Sequence, residues 1–275
     1  MLATLGDLLE DVVVHLSGPI NRASDTHARI ERRRGGSAAN VAETAAVLGH
    51  RARYLGQVGS DPIGAALIED LGGSGVDVAS VRRGGRSGTI IVLVDESGER
   101  TMLTDRGACL DLCDPDPVWL DGITTLHVPF YSLTDDPLAA TAVTLIGWAH
   151  QREIVVSIDL SSSALIEEIT ARRVIEQIEA LRPDVVFANH DEAAALGLAG
   201  PLAGAVTVIK NGGEPVVAHL DREQITVPVP VIGHVTDTTG AGDAFAAGYL
   251  TSAGTNVSAA IEAGCLAAAH LITSR

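Results

Sequence analysis

The residues best suited to chemistry form one small-residue turn, Asp237-Thr238-Thr239-Gly240-Ala241-Gly242-Asp243-Ala244-Phe245-Ala246-Ala247-Gly248, which runs into a helical pattern. Gly240, Ala241 and Gly242 have almost no side-chain bulk. An anion can therefore approach the first-turn N–H groups of the helix, whose dipole also favours negative charge. Asp243 would be repelled by phosphates bound there, so a carboxylate is a costly choice unless it takes a proton from an attacking hydroxyl. The plainer reading is that Asp243 caps the helix while the glycines shape a turn. The turn alone leaves both readings open.

A second glycine-rich segment, Arg34-Gly35-Gly36-Ser37-Ala38-Ala39-Asn40, also leads into an Ala-rich helical run, and two such turns suggest two ligands. The pair resembles the two signatures of the ribokinase-like, or PfkB, family of ATP-dependent sugar kinases. Between them lie Gly56-Gln57-Val58-Gly59-Ser60-Asp61-Pro62-Ile63-Gly64, Gly75-Val76-Asp77 and Asn189-His190-Asp191-Glu192, each similar to a family motif and in the family's order. The resemblance covers nearly the whole chain.

The resemblance implies a role for each matching residue. Asp243 matches the catalytic base, and Gly240, Ala241 and Gly242 match the anion hole that stabilises charge on the transferred phosphoryl group. Asn189 and Glu192 match the motif that organises Mg²⁺ through water, although by themselves they read as a helix N-cap followed by a first-turn acid. Asp11 matches the acid that bonds two adjacent sugar hydroxyls, with Asp7 as a nearby competitor otherwise read as part of a solvated turn. Gly35, Gly36 and Asn40 match the loop around the sugar ring, and Arg106 stands where some relatives contact the acceptor. Lys210 and Gly212 lie in the nucleotide-binding strand-turn, in which Pro215 replaces a usual glycine and removes an N–H. Relatives generally continue beyond the position of Arg275 into a segment that helps complete the adenine pocket and, in some members, a monovalent-cation site; potassium activation is therefore left open.

The elements that must position these residues follow from the apolar pattern. Strand-like runs are expected at Leu2–Leu5, Asp11–Leu16, Thr89–Val94 and Arg100–Thr104, with a polar stretch from Gly18 to Arg34 and helices at Ala38–Leu48 and Ile63–Leu71. From Thr124 onward short apolar runs alternate with helices: Thr124–Val128, helix Pro137–Gln151, Ile154–Asp159, helix Ala164–Leu181, Val185–Ala188, helix Asp191–Leu198, Val206–Lys210, and finally helix Val257–Leu271. Such alternation implies an α/β fold, a mostly parallel sheet with helices on both faces and ligands at the carboxyl ends of its strands, where Asp159, Asn189 and Lys210 fall. Residues 1–275 are read as one ribokinase-like domain carrying a small β-sheet lid from approximately 12–34 and 88–106.

Composition narrows the function. The 275 residues are 46% hydrophobic, ample for a core, and carry a formal charge of −16, which argues against a nucleic-acid partner. Lys210 is the only lysine, so arginine supplies nearly all positive charge. Cys109, Cys113 and Cys265 form no CxxC pair and read as reduced thiols. No stretch is long and apolar enough for a membrane span and no basic signal start precedes the first strand, so a cytoplasmic location is expected. There is no G-x-x-x-x-G-K-[ST] loop, no G-x-G-x-x-G after the first strand, no G-x-S-x-G elbow and no HExxH.

These readings converge on an ATP- and Mg²⁺-dependent kinase of a small sugar, sugar acid or nucleoside. The competing class is a catalytically weak sugar- or nucleoside-binding regulator of the same fold, which the intact Asp243 turn disfavours. The lid carries alternating apolar positions, Val12, Val14 and Leu16, then Ile90, Val92 and Val94, and a sheet this small cannot cover both faces. A homodimer joined through the lids is expected.

Overall fold

A computed structural model of the chain describes residues 1–233, 235, 237–252 and 256–274. In chain order the first half contains β1 (Leu2–Leu5), β2 (Leu9–Leu16), β3 (Ala28–Gly35), α1 (Ser37–Val47), β4 (Ala52–Leu55), β5 (Gln57–Val58), α2 (Pro62–Gly73), β6 (Arg82–Arg83), β7 (Thr89–Val94) and β8 (Arg100–Asp105). The second half contains β9 (Thr125–Pro129), α3 (Leu138–Gln151), β10 (Val155–Asp159), α4 (Ser163–Ile169), α5 (Ala171–Leu181), β11 (Val185–Asn189) and α6 (His190–Leu196). It closes with β12 (Val206–Asn211), β13 (Glu214–Leu220), β14 (Glu223–Val227), α7 (Ala241–Thr251) and α8 (Val257–Thr273).

The apolar runs stack into an eight-stranded sheet of order β14-β13-β12-β11-β10-β9-β1-β4, parallel from β12 to β4 and antiparallel through β13 and β14. Alternate residues of each strand point to opposite faces, which divides the core in two. Ala3, Leu5, Leu126, Val128, Val156 and Ile158 pack with α3, α4, α5 and α6 on one face. Leu2, Tyr54, Val185, Phe187 and Val208 pack with α1, α2, α7 and α8 on the other. The doubly covered parallel sheet matches the expected α/β fold class.

Four more strands form a separate sheet, β3-β2-β7-β8. In its register Asp11, Ile90 and Thr104 align across one face with Arg33, while Val12, Ile91 and Leu103 align across the other. Val13 and Val92, on the Asp11 face, are buried, whereas Ile30, Ile91 and Leu103 on the opposite face are 60%, 38% and 54% exposed. The two apolar sets expected from the sequence, Val12/Val14/Leu16 and Ile90/Val92/Val94, thus lie on opposite sides of this sheet.

Several elements depart from expectation. The polar stretch ending at Arg34 contains β3, whose charged residues are tolerated because the sheet is open to solvent. The single helix expected over Ala164–Leu181 is broken at Thr170, which has φ 84°, a left-handed conformation that ends α4 before α5 begins. The strands β4, β13 and β14 were not expected; β13 starts after a two-residue Gly212-Gly213 turn, with Asn211 paired to Glu214.

Candidate active site

The carboxyl ends of β10, β11 and β12 deliver Asp159, Asn189 and Lys210 to one cleft. Lys210 Nζ donates to Asp159 Oδ2 at 2.6 Å and lies 5.8 Å from the centre of the Phe187 ring. Burial alone would depress the lysine, but the charge of Asp159 and its hydrogen bond outweigh that and raise it, so the ammonium stays charged.

The start of α7 faces this cation. Gly240 is its N-cap, with φ 76°, a conformation available to glycine at little cost, and no side chain caps the helix. A Cβ added to Gly242 would lie 3.3 Å from Lys210 Nζ, so the small residue lets the ammonium sit against the turn. Ala241 N–H is taken by Thr238 O at 3.0 Å and Ala244 N–H by Gly240 O at 2.9 Å. Among the described residues no acceptor meets the N–H groups of Gly240, Gly242 and Asp243. The open donors therefore include Asp243 itself, and the N–H of Ala241, expected in the anion hole, is already engaged.

Asp243 also contacts the second glycine segment. Ser37 Oγ donates to Asp243 Oδ1 at 2.6 Å, and Asn40 Nδ2 donates to Oδ2 at 2.9 Å. Both donors stand on the first turn of α1, which packs against α7. Burial pushes the Asp243 carboxyl up to about 6; the Ser37 and Asn40 hydrogen bonds and Lys210 oppose that, while Asp159 adds to it. Asn40 is itself oriented, since its Oδ1 accepts from Arg34 Nη1 at 3.3 Å and Arg34 is held by Glu43 and Asp70.

The glycines of this loop are explained by close approach. A side chain at Gly35 would collide with the Asp11 carboxylate, and one at Gly36, where φ is 107°, would collide with the carbonyl oxygen of Asp7. Asp11 lies on the buried side of the four-stranded sheet, its carboxyl raised by burial against the pull of Arg33. Asp7, read from sequence as a competitor in a solvated turn, instead makes a two-pronged pair with Arg106, at 2.8 and 2.9 Å. That pair occupies Arg106, just as Asp105 occupies Arg86.

Arg33, Arg100 and Asp237 were not singled out from sequence. Arg100 donates to Thr239 and to Asp237 Oδ1, the latter at 2.7 Å, while Arg33 lies 3.7 Å from Asp11 and 3.8 Å from Asp237. Two strands of the small sheet thereby reach the turn that precedes α7. The only trace of this in the sequence is the run Arg32-Arg33-Arg34, whose alternating faces could not be assigned before β3 was known.

A cavity of about 710 Å³ opens beside α7, its walls including Lys210, Gly212, Thr238 and Gly242 together with Cys265 and Ile272 of α8. Its volume and its mixed polar and apolar lining suit a nucleotide. The helix α8 itself supplies a wall of this cavity.

For a metal, the donors at hand are few. Asn189 and Glu192 form a capping box: Asn189 Oδ1 accepts from Glu192 N–H at 2.9 Å, and both Glu192 carboxylate oxygens accept from Asn189, each at 2.8 Å. Burial, then the charge of Asp159, push Glu192 up to about 7. Among the described residues no group of three or more His, Cys, Asp or Glu could hold an ion directly. The capping box already engages the side-chain oxygens of Asn189 and Glu192, an arrangement that fits an ion met through water.

An uncapped helix start, a buried lysine and a carboxylate raised by burial meet beside the cavity, an arrangement suited to phosphoryl transfer. Comparison with known proteins identifies the group: the chain belongs to the pfkB family of carbohydrate kinases, whose family model matches residues 2–275. It is 32% identical over 227 residues to an ATP-dependent ribose-1-phosphate kinase of Halopiger xanaduensis, covering 79% of this chain and 72% of that protein. It is 31% identical over 235 residues to a fructokinase of Escherichia coli, covering 79% and 76%. The crystal structure of an adenosine kinase from Sinorhizobium meliloti superposes with a TM-score of 0.84 at 26% identity, over 99% of this chain and 93% of that one. No helix among the described residues is long and apolar enough to cross a membrane.

Proposed function

We propose that this kinase transfers the γ-phosphoryl group of ATP to a hydroxyl of a small sugar, sugar acid or nucleoside, with Asp243 as the base. The observation that carries this reading is the placement of Asp243, a carboxylate raised to about 6 inside an uncapped helix start, between the glycine loop of α1 and the charged Lys210. The acceptor hydroxyl gives its proton to Asp243 as its oxygen attacks the γ-phosphorus, and the bond to the β-phosphate oxygen breaks. The free N–H groups of Gly240, Gly242 and Asp243, with Lys210, stabilise the charge on the transferred group.

Lys210 and Gly212 line the nucleotide cavity, and the capped pair Asn189 and Glu192 would order the water shell of Mg²⁺, which when bound neutralises the triphosphate. On the acceptor side, Asp11 takes two adjacent hydroxyls while Gly35, Gly36 and Asn40 close around the ring. Arg106, tied to Asp7, borders the acceptor through that pair. Relatives named for ribose 1-phosphate, fructose and adenosine share a polyhydroxylated ring, which supports this acceptor class.

The test is Asp243→Asn, which keeps volume and removes the proton acceptor. Turnover on a panel of sugars and nucleosides should fall by roughly 10²-fold or more, while acceptor binding by calorimetry survives. In the wild type kcat/KM should decline as the pH drops through about 6, where Asp243 gains its proton. Near-normal turnover by the variant, or no acid limb, would sink the assignment.

The four-stranded sheet acts in this reading as a lid, with its outward face covered by a second copy. Ile30, Ile91 and Leu103 leave an exposed apolar strip on that face, and a self-complementary patch is buried most simply by two-fold pairing. Sedimentation equilibrium should give a dimer that Leu103→Glu converts to monomer. A wild-type monomer across the micromolar range would refute the pairing.

A further inference from the structure

The proposed role of Asp243 leaves one of its two partners without a task. Asn40 is held from behind by Arg34, but the Ser37 hydroxyl has, among the described residues, no hydrogen-bond partner except Oδ1 of Asp243. Ser37 is the first residue of α1, directly after Gly36, whose backbone is wedged against Asp7. The helix start is therefore fixed while the side chain can leave the carboxylate by one rotation about χ1. An alcohol donating to the base at 2.6 Å, beside an open anion hole, has the chemistry and the place of an acceptor hydroxyl.

We infer that Ser37 is a positioning residue that stands in for the acceptor: it occupies the base while the cleft lacks a sugar, and it yields that place when a hydroxyl of the acceptor enters. The inference rests on Asp243 being the base. Its benefit concerns water, which is small, abundant and able to attack the γ-phosphorus, breaking the bond to the β-phosphate oxygen and leaving its proton on Asp243, with ADP and phosphate as products. A hydroxyl bonded to Oδ1 lowers the basicity of that oxygen and excludes water from it. A sugar held by Asp11 and the glycine loop brings many contacts and can displace Ser37; a single water cannot.

The test needs no identified acceptor. ADP release from Mg²⁺ and ATP alone is measured for the full chain as wild type, Ser37→Ala, Ser37→Cys, Ser37→Thr and Asp243→Asn, each with its melting temperature. Ser37→Ala should raise acceptor-free ADP release about tenfold, the factor one charge-assisted hydrogen bond commands. Ser37→Cys, a weaker donor of similar size, should give a smaller rise, Ser37→Thr should return to the wild-type rate, and Asp243→Asn should fall below it. With an acceptor that supports turnover, phosphorylated product per ADP should drop in Ser37→Ala. Equal or slower release by both Ser37→Ala and Ser37→Cys at unchanged melting temperature would overturn the inference. So would a phosphate found on Ser37 by intact-mass measurement after incubation with ATP, which would make it an acceptor instead of a stand-in. An undiminished rate in Asp243→Asn would instead remove the base assignment, so the two failures are distinguishable.

Discussion

The helices α6 and α7 both start at the carboxyl edge of the sheet, and they treat their first turns in opposite ways. At α6 the polar groups satisfy each other: Asn189 caps Glu192 N–H, and Glu192 returns two hydrogen bonds to Asn189. At α7 the N-cap is Gly240, and among the described residues no side chain reaches back and N–H groups are left open to a ligand. A capped start is a finished piece of structure, whereas a glycine start carries an unmet demand for negative charge. The helix α1 repeats the second pattern, since its N-cap is Gly36 and it too lacks a side-chain cap. The two glycine-started helices face each other across Asp243, which is where the proposed acceptor and nucleotide meet.

The most severe way to break this contrast is to give α7 a cap. In α2 the N-cap is Asp61, whose carboxylate accepts from Gly64 N–H at 2.8 Å. Gly240→Asp would offer α7 the same partner, either from the left-handed conformation that Asp tolerates or after a small shift of the turn. A carboxylate would then compete with the phosphoryl group for the same N–H donors and repel it. We expect kcat/KM for ATP to fall roughly 10²- to 10³-fold with a melting temperature that does not fall in proportion. Retention of activity would mean that those donors are not used.

How much of this was legible beforehand depended on whether local residue type or distant packing decided each feature. The glycine turns and the Asn189/Glu192 pair were readable because their function lies in small or capping residues close together in sequence. The central strands β1, β9, β10, β11 and β12 were readable because burial on both faces makes them mostly apolar, with polar exceptions such as Thr4, His127 and Ser157. The strand β3 was hidden by the run Glu31-Arg32-Arg33-Arg34, which the open sheet tolerates and whose arginines meet acids across the sheet and on α1 and α2. The antiparallel strands β13 and β14 were hidden by Pro215 in the first and by the short polar start Glu223-Gln224 of the second. Ser37 was quoted within a motif without a role; its hint was a hydroxyl three residues before Asn40, on the same face of a helix start. That this face looks at Asp243, 206 residues away, is a fact of packing alone.

The milder way to sharpen the contrast is to change the charge of α6 and leave its cap intact. Glu192→Gln keeps an oxygen to accept from Asn189 N–H, so the capping box and the helix should persist. What is lost is a carboxylate that is 2% exposed and pushed up to about 7 by burial, an uncomfortable charge unless a cation is nearby. If Glu192 orders the water around Mg²⁺, the concentration of Mg²⁺ needed for half-maximal rate should rise about tenfold, with acceptor binding retained. The melting temperature should hold or increase, because a neutral amide is easier to bury than a carboxylate. A magnesium titration that superposes on the wild type would make the α6 start purely structural. The demand for charge at this edge of the sheet would then rest on α7 and Lys210 alone.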